Sequence, residues 1–227
     1  MPLSLEDYQA GQVLLIDKPL DWSSFQAVNN IKHAIKRKFN IKKIKVGHAG
    51  TLDPKATGLL IVCTGKATKT IQGIQDTDKE YTGTIKLGEV SASYDSEGPF
   101  IETCDFSHVT EDLILKTTEQ FKGDIMQTPP IFSALKKDGK PLYEYARAGV
   151  EVEIKQRPVR IDTFEITKFE LPEIHFRIAC TKGTYIRSIA HDFGKAMNSG
   201  SYLSALRRTK IGDYNVEDAT IVTDWKV

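Results

Sequence analysis

The sequence has no apolar run that approaches the roughly 20 residues needed for a membrane-spanning helix, and its longest candidate, residues 59–63, is far too short. It has only three cysteines, widely separated and without a CxxC pair, which argues against a disulfide framework or a cysteine zinc site. Residues 1–8 carry two acids and no basic segment, unlike a secretory signal. These absences predict a protein that stays in the cytoplasm, with no membrane contact.

An excess of charge of one sign is also missing, because the formal net charge is only +1. The charges are nevertheless unevenly distributed. Residues 32–45 contain a run of lysines and an arginine with no acid among them. Such a run is typical of a solvated helix end, and it is also what a phosphate-contacting surface requires. By itself it leaves nucleic-acid binding open.

The sequence lacks both a nucleotide-binding loop and a metal-binding pattern. A phosphate-binding loop needs Gly five positions before its Gly-Lys pair and Ser or Thr after it, but here Leu60 and Ala67 stand at those positions around Lys66. The five histidines show no paired ligand spacing, and none belongs to an HExxH motif. We therefore expect no cofactor and no bound metal.

Hydrophobic periodicity predicts a mixture of strands and helices in the first half of the chain. Strands are indicated at residues 13–16, 59–63 and 81–87. A helix capped by Ser23 or Ser24 carries a predicted apolar face formed by Phe25, Val28, Ile31 and Ile35. A second helix is predicted at residues 113–121, ended by Gly123.

The second half continues this mixture after an interruption. Residues 124–149 contain several Pro, Gly and Lys residues without periodicity, which predicts a largely irregular surface excursion. Strands then follow at 150–154, 161–169 and 174–180. A helix at 184–197 presents Ile186, Ile189, Ala190, Phe193 and Met197 on one face. Its Arg187 lies just off that face, as a surface residue does. The absence of strict alternation favours an α+β fold with a mixed, mostly antiparallel sheet and flanking helices.

The densest cluster of chemically active residues lies at positions 47–54. Two glycines, a proline and small residues permit tight turns and close approach of another molecule. Asp53 precedes Pro54 and cannot continue a helix. From the residues alone, Asp53 is either a turn-forming residue or a carboxylate held on a rigid loop near His48, where it can meet a ligand.

This segment resembles the active-site motif of the TruB-type tRNA pseudouridine synthases, which modify uridine 55 in the T-loop of tRNA. Further ordered motifs similar to those of this family span about residues 11–212. They are Asp17-Lys18-Pro19 with Trp22-Ser23-Ser24, Lys79-Glu80-Tyr81, Gly88 with Tyr94-Asp95, Gln127-Thr128-Pro129-Pro130 with Phe132-Ser133-Ala134-Leu135-Lys136, Lys182-Gly183-Thr184-Tyr185-Ile186-Arg187-Ser188, and residues 203–208.

The resemblance implies a fold of the pseudouridine synthase type and a role for each matching site residue. Asp53 would be the catalytic carboxylate, and Tyr81 would stack on the target base and act in a late proton step. Arg187 would pair with Asp53. His48 would contact the extruded RNA, and Leu206 would line the base pocket. Whether the carboxylate attacks the sugar, adds to the base or assists elimination to a glycal stays open.

The resemblance also implies a domain plan and partners. Residues 1–227 would form a single catalytic domain, with Lys18 and Pro19 supporting the active-site loop. Residues 124–149 would be the tRNA-binding insertion of this branch, with phosphate contacts from Lys136, Lys137, Lys140 and Arg147. Residues 209–227 would be a short tail with Trp225 packed down, and no PUA domain would follow. The partner would be the T-arm of tRNA, bound by a monomer with no obligate protein partner.

Three alternative functions compete with this one. A tRNA-binding factor without chemistry would not need Asp53, Tyr81 and Arg187 together. A glycosidase usually needs a second carboxylate at a defined separation, and only Glu80 is a nearby candidate in another motif. A sibling synthase acting on ribosomal RNA is disfavoured by the insertion at residues 124–149.

Overall fold

The computed structural model describes residues 3–227, and its secondary structure is that of an α+β protein. The helices within these residues are α1 (Leu5–Ala10), α2 (Ser24–Lys38), α3 (Ile71–Gln75), α4 (Glu111–Glu119), α5 (Leu142–Arg147) and α6 (Ile186–Ala196). The strands are β1 (Val13–Lys18), β2 (Val46–His48), β3 (Ala56–Thr64), β4 (Lys79–Leu87), β5 (Glu89–Ser91), β6 (Phe100–Thr103), β7 (Gly123–Gln127), β8 (Lys136–Lys137), β9 (Lys140–Pro141), β10 (Arg157–Glu170), β11 (Glu173–Cys180), β12 (Ser201–Ile211), β13 (Tyr214–Asn215) and β14 (Thr220–Ile221). No helix among the described residues is long and apolar enough to cross a bilayer.

The chain forms two compact units, one of residues 3–81 with 206–227 and the other of residues 82–205. In the first unit β3 is central. It pairs antiparallel with β1 and β2 and parallel with the segment of β12 from Leu206 to Arg208, while β1 also pairs parallel with β14. The predicted mixed sheet is confirmed. That residues 1–227 act as a single catalytic domain stays a prediction.

Both faces of β3 are buried, which explains its continuous apolar sequence. Leu60 and Val62 pack into a cluster with α1, α2 and the C-terminal residues, whereas Leu59, Ile61 and Cys63 point to a second cluster on the opposite face. Successive strand residues face opposite sides, so a strand covered on both sides has no polar alternation. The loops on either side of β3 therefore start from a rigid strand.

Helix α2 covers the first cluster with an apolar stripe narrower than the sequence predicted. Its capping box is formed by Ser23 and Gln26, as the first of the two predicted caps allowed. Val28 and Ile31 are buried, but Phe25 is 70% exposed, so its predicted place on the apolar face is wrong. At 100° per residue Phe25 lies about 100° from the centre of the buried stripe.

The second unit is built on antiparallel pairing of β10 with both β11 and β7, with β4 next to β11. An aromatic cluster joins the sheet to its helices, because Phe164 of β10 lies 5.4 Å from Phe193 of α6 and 6.4 Å from Phe121, which follows α4 (ring centroids). Helix α6 has the predicted buried face, including Ile189 and Phe193, and Met197, which follows the helix, is buried as well. The helix and strand periodicities are confirmed here.

Two predictions for the middle of the chain are wrong. Residues 124–149 are not largely irregular, because they contain most of β7, the two-residue strands β8 and β9, and α5. These elements are too short to show periodicity in the sequence. Residues 150–154 do not form the predicted strand, because their main chain joins no ladder in the described structure. The tail does pack as predicted, with Trp225 6.4 Å from Tyr8 (ring centroids).

Candidate active site

The loop that carries Asp53 connects β2 with β3 in the first unit and is anchored at Leu52. Ser24, the first residue of α2, uses its hydroxyl twice: it donates to the carbonyl of Leu52 at 2.9 Å and accepts from the Leu52 amide at 2.8 Å. On the other side, the Ala56 amide donates to the Asp53 carbonyl at 3.0 Å. Asp53 itself is half-buried. The carboxylate is thus carried between two fixed points while keeping partial access to solvent.

Lys18, at the end of β1, reaches the same loop next to Asp53. Its side chain is fully buried, and its Nζ donates to the carbonyls of Trp22 at 2.6 Å, Pro19 at 2.8 Å and Pro54 at 3.4 Å. Burial lowers the Lys18 pKa to about 8, although the nearby negative charge of Asp53 acts in the opposite direction. Of these three acceptors, Pro54 belongs to the Asp53 loop, and this bond supports the predicted role of Lys18 in bracing the loop.

The lowered pKa of Lys18 predicts a stability that depends on pH. Between about 8 and the ordinary value of 10.5, the unfolded state binds more protons than the folded state, so the free energy of unfolding rises with pH. The contribution of Lys18 over this window is at most about 3 kcal/mol. Because Met does not titrate, we expect the stability of Lys18→Met relative to the native protein to fall over the window. Urea unfolding of both proteins at a series of pH values measures this difference in the free energy of unfolding. If the free energies of unfolding of the two proteins changed in parallel with pH, the prediction would be contradicted.

Arg208 of β12 links the start of the loop to strand β3. Its guanidinium is buried, and it donates from Nε to the Leu59 carbonyl at 2.9 Å and from Nη2 to the Gly50 carbonyl at 3.0 Å. Gly58 lies against the Arg208 main chain with a φ of +99°, where a Cβ would come within 2.3 Å of the Arg208 carbonyl oxygen. Glycine is therefore required at position 58.

His48 lies at the end of β2, opposite Val62 of β3. Its Nδ1 is buried and has no hydrogen-bond partner within residues 3–227. Burial lowers the His48 pKa, the charge of Arg208 lowers it further, and a hydrogen bond with the backbone of Gly50 acts against both. The imidazole is therefore neutral near pH 7 and offers an uncharged polar edge.

Tyr81 and Leu206 both lie on strands and belong to the first unit. Tyr81 is 9% exposed on β4, and Leu206 is half-buried on β12, opposite Ala56 in the register with β3. The hydroxyl of Thr209 donates to the Glu80 carboxylate at 2.9 Å, which ties β12 to β4 within this unit. Strand placement thus fixes the backbones of both predicted base-contacting residues.

Arg187 lies at the start of α6 in the second unit and is only 6% exposed, so its placement on the surface from periodicity alone is wrong. Its Nε lies 3.6 Å from the Asp95 carboxylate, and its two Nη atoms donate to the carbonyls of Ser93 at 3.1 Å and Phe132 at 3.0 Å. A buried cation is tolerated when such acceptors surround it. The pairing of Arg187 with Asp53 stays a prediction.

The four basic residues predicted to contact RNA also lie in the second unit. Lys136 and Lys140 are exposed on the β8–β9 hairpin. Lys137 donates to the Glu153 carbonyl at 2.8 Å, and the Arg147 guanidinium lies 5.4 Å from the Tyr143 ring centroid. The hairpin therefore gathers three lysines on two short strands.

The roles of Ser24, Asp95 and Arg208 could not be read from the sequence. Each belongs to one of the sequence motifs described above, but the spacing of residues in a motif does not predict which groups a side chain contacts. Charged residues are mostly exposed, so a buried Arg on a strand is not expected from its residue type. Among residues 3–227, no group of three or more His, Cys, Asp or Glu side chains could hold a metal ion.

The chain is similar to known proteins over most of its length. The family model for TruB family pseudouridylate synthase (N terminal domain) matches residues 36–186. The tRNA pseudouridine synthase B of Flavobacterium johnsoniae is 60% identical over 219 residues, covering 96% of both chains. That of Phocaeicola vulgatus is 49% identical over 216 residues, covering 95% of this chain and 92% of the relative.

Solved structures show the same fold. A chain in the crystal structure of a Cbf5-Nop10-Gar1 complex has a TM-score of 0.69 and 30% identity, covering 96% of this chain and 54% of its own length. A chain in the structure of an H/ACA RNP bound to a substrate RNA containing 2′-deoxyuridine has a TM-score of 0.68 and 28% identity, covering 96% of this chain and 52% of its own length. This chain thus spans about half the length of those two chains. By the family match and the extent of its similarity to the two synthases, the chain belongs to the TruB family of pseudouridylate synthases.

Proposed function

We propose that this protein isomerises uridine 55 in the T-loop of tRNA to pseudouridine, with Asp53 as the catalytic carboxylate. The observation that carries the activity is the 60% identity with a tRNA pseudouridine synthase B over 96% of both chains. The choice of Asp53 is supported by its half-buried position on a loop held by Ser24, Lys18 and Arg208.

The chemistry requires a carboxylate and no outside reagent. The bond from ribose C1′ to uracil N1 breaks, the base turns, and C1′ joins C5, while C5 loses a proton and N1 gains one. The product is therefore an isomer of the substrate, with no net gain or loss of atoms or electrons. A carboxylate acts here only when it is ionised, and the positive charge of Lys18 next to Asp53 favours that form.

The target base has to leave the helical stack before it can react. Extrusion costs a few kcal/mol, which stacking and edge contacts in the pocket offset. We assign one stacking face to Tyr81, worth roughly 1–3 kcal/mol. Leu206 supplies an apolar contact to the base, and the uncharged imidazole of His48 contacts the RNA that is displaced. Arg187 keeps its implied role of favouring the ionised carboxylate.

The direct test uses the purified protein alone. An unmodified tRNA transcript is incubated with it, and pseudouridine is mapped at nucleotide resolution. We expect one product at position 55, and none in a transcript whose T-loop uridine is replaced by cytidine. Modification that appears only after a cofactor or another protein is added would contradict the expected independence of both. Because the proposed substrate is tRNA, we also propose that the protein acts in the cytoplasm.

A glycosidase function has no support from the acids around the loop. Such an enzyme usually needs a second carboxyl group that can donate a proton. The neighbouring Asp17 accepts two hydrogen bonds from Arg207 at 3.0 and 2.6 Å, and Asp21 pairs with Lys55 at 2.7 Å. Both carboxyl groups are therefore already engaged by basic side chains.

We further propose that the β8–β9 hairpin and α5 bind the phosphate backbone of tRNA. Replacing all four basic residues of this region by Gln removes up to four charged groups that can pair with phosphates. The slope of log affinity against log salt should become shallower by about one unit for each side chain that no longer neutralises a phosphate. We expect Lys137 to contribute less than the other three residues to the change in slope, because its Nζ already donates to the Glu153 carbonyl. Filter binding between about 50 and 200 mM salt measures the slope.

A matched control removes the same charge elsewhere in the second unit. Each of its side chains already forms a surface ion pair with a carboxylate, so its removal should leave the salt slope unchanged. The control variant carries Gln at Lys122, Arg160, Lys168 and Arg177. Equal slopes for the hairpin variant and the native protein would show that the hairpin region does not contact phosphates.

A further inference from the structure

The loop from Gly50 to Lys55 runs between two strands and has little main-chain pairing of its own. Its geometry therefore depends on side chains that reach its carbonyl groups. Arg208 reaches the Gly50 carbonyl before Asp53 in the chain and the Leu59 carbonyl after it, at 3.0 and 2.9 Å. Leu59 belongs to the buried strand β3 and is 0% exposed. One guanidinium thus links the start of the loop to a fixed point in the sheet.

The chemistry of this contact favours accurate positioning. Arg208 is 2% exposed, so its charge has left water and depends on these carbonyl acceptors. A guanidinium presents its donors in a rigid planar fork, so two bonds from one group fix both the distance and the relative orientation of the two carbonyls. A lysine at the same position would keep the charge but would not reproduce the fork.

The Arg208 main chain contributes a second constraint. Gly58 lies so close that a Cβ would come within 2.8 Å of the Arg208 nitrogen as well as 2.3 Å of its carbonyl oxygen. Arg208 also pairs with Gly58 in the parallel register of β12 and β3. The residue therefore cannot shift toward the loop, and its side chain has a fixed origin.

We propose that Arg208 is a positioning residue for the reaction: its guanidinium fixes the loop so that the Asp53 carboxylate meets the reacting nucleotide correctly. The inference rests on the proposed function and adds to it a residue that acts through the backbone and not on the substrate. Misplacement of a reacting group by about 1 Å can cost on the order of 10²-fold in rate. The effect should fall on the chemical step, because Arg208 is buried and the residues proposed to contact tRNA are others.

The test is single-turnover kinetics on Arg208→Met and Arg208→Lys. We expect the rate constant to fall about 10²-fold for Met and by an intermediate factor for Lys. The fraction of tRNA converted and the affinity for tRNA should stay near native values. Arg177→Met is the control, since Arg177 forms a half-exposed ion pair with Glu165 on the sheet of the other unit, and it should react at the native rate.

The rate constant and the amplitude of product formation together distinguish a positioning role of Arg208 from a purely structural one. A structural role would reduce the fraction of active protein and leave the rate constant unchanged, which would overturn the proposal. A native rate constant in Arg208→Met would overturn it as well. If the native protein forms no pseudouridine, the proposed function fails and this inference fails with it, whereas an active native protein with unimpaired Arg208 variants refutes this inference alone.

Discussion

The Asp53→Asn variant is expected to lose pseudouridine formation by a factor of about 10⁴ or more while it still binds tRNA. The amide matches the carboxylate in size, so the loop and its anchor at Leu52 have no steric reason to move. It carries no negative charge and is a poor nucleophile, and each route open to Asp53 requires an ionised oxygen. Product mapping and filter binding on the same protein sample measure the two quantities.

The control for this variant is the same substitution at a remote acid. Asp213→Asn changes an exposed aspartate in the turn between β12 and β13 of the same unit. It should leave both product formation and tRNA affinity unchanged. Undiminished product in Asp53→Asn would refute the catalytic assignment. Loss of product together with loss of binding would instead place Asp53 among the groups that hold the RNA.

The Gly58→Ala variant should be destabilised by about 3 kcal/mol. Its φ of +99° is unfavourable for a residue with a Cβ, which costs roughly 1–2 kcal/mol. The new methyl group would also overlap the main chain of Arg208, and such overpacking costs a further 1–3 kcal/mol or so. For a chain of this size the melting temperature should fall by about 10 °C. Differential scanning calorimetry measures the shift.

Gly73→Ala provides the matched control for the added methyl group. Gly73 lies in α3, and a Cβ there would meet nothing within 4 Å. Replacing a helical glycine by alanine in open space should stabilise the protein by about 0.5–1 kcal/mol. If both variants melted at the same temperature, the close approach of Gly58 to Arg208 would have no energetic consequence.

The surroundings of Asp53 combine two buried cations with main-chain carbonyl groups. The charge of Arg208 contributes to the lowered pKa of Lys18. Arg208 also contributes to the lowered pKa of His48. Two cations behind the loop produce a positive potential, which suits an ionised carboxylate and an approaching polyanion.

Sequence periodicity predicted those elements whose burial follows a regular spacing. Residues 59–63 and the apolar face of α6 were identified correctly, because a doubly covered strand and a one-sided helix each leave a direct pattern. Phe25 stands three residues before Val28, a spacing that is typical of an apolar helix face. In the structure it lies outside the buried stripe, so the prediction for this residue is wrong. Residues 150–154 alternate like a strand, but alternation alone does not supply a partner strand.

The sequence by itself determined the α+β class, the family and the segment that carries Asp53, because these depend on local spacing and on ordered motifs along the chain. Only the tertiary structure decided that Arg208 braces that segment, which carbonyl group of it Lys18 reaches, and that Arg187 is buried beside Asp95. These contacts join residues far apart in the chain. A charged residue is written the same way in the sequence whether it is buried or exposed. Its burial is tolerable only because folding brings hydrogen-bond acceptors around it.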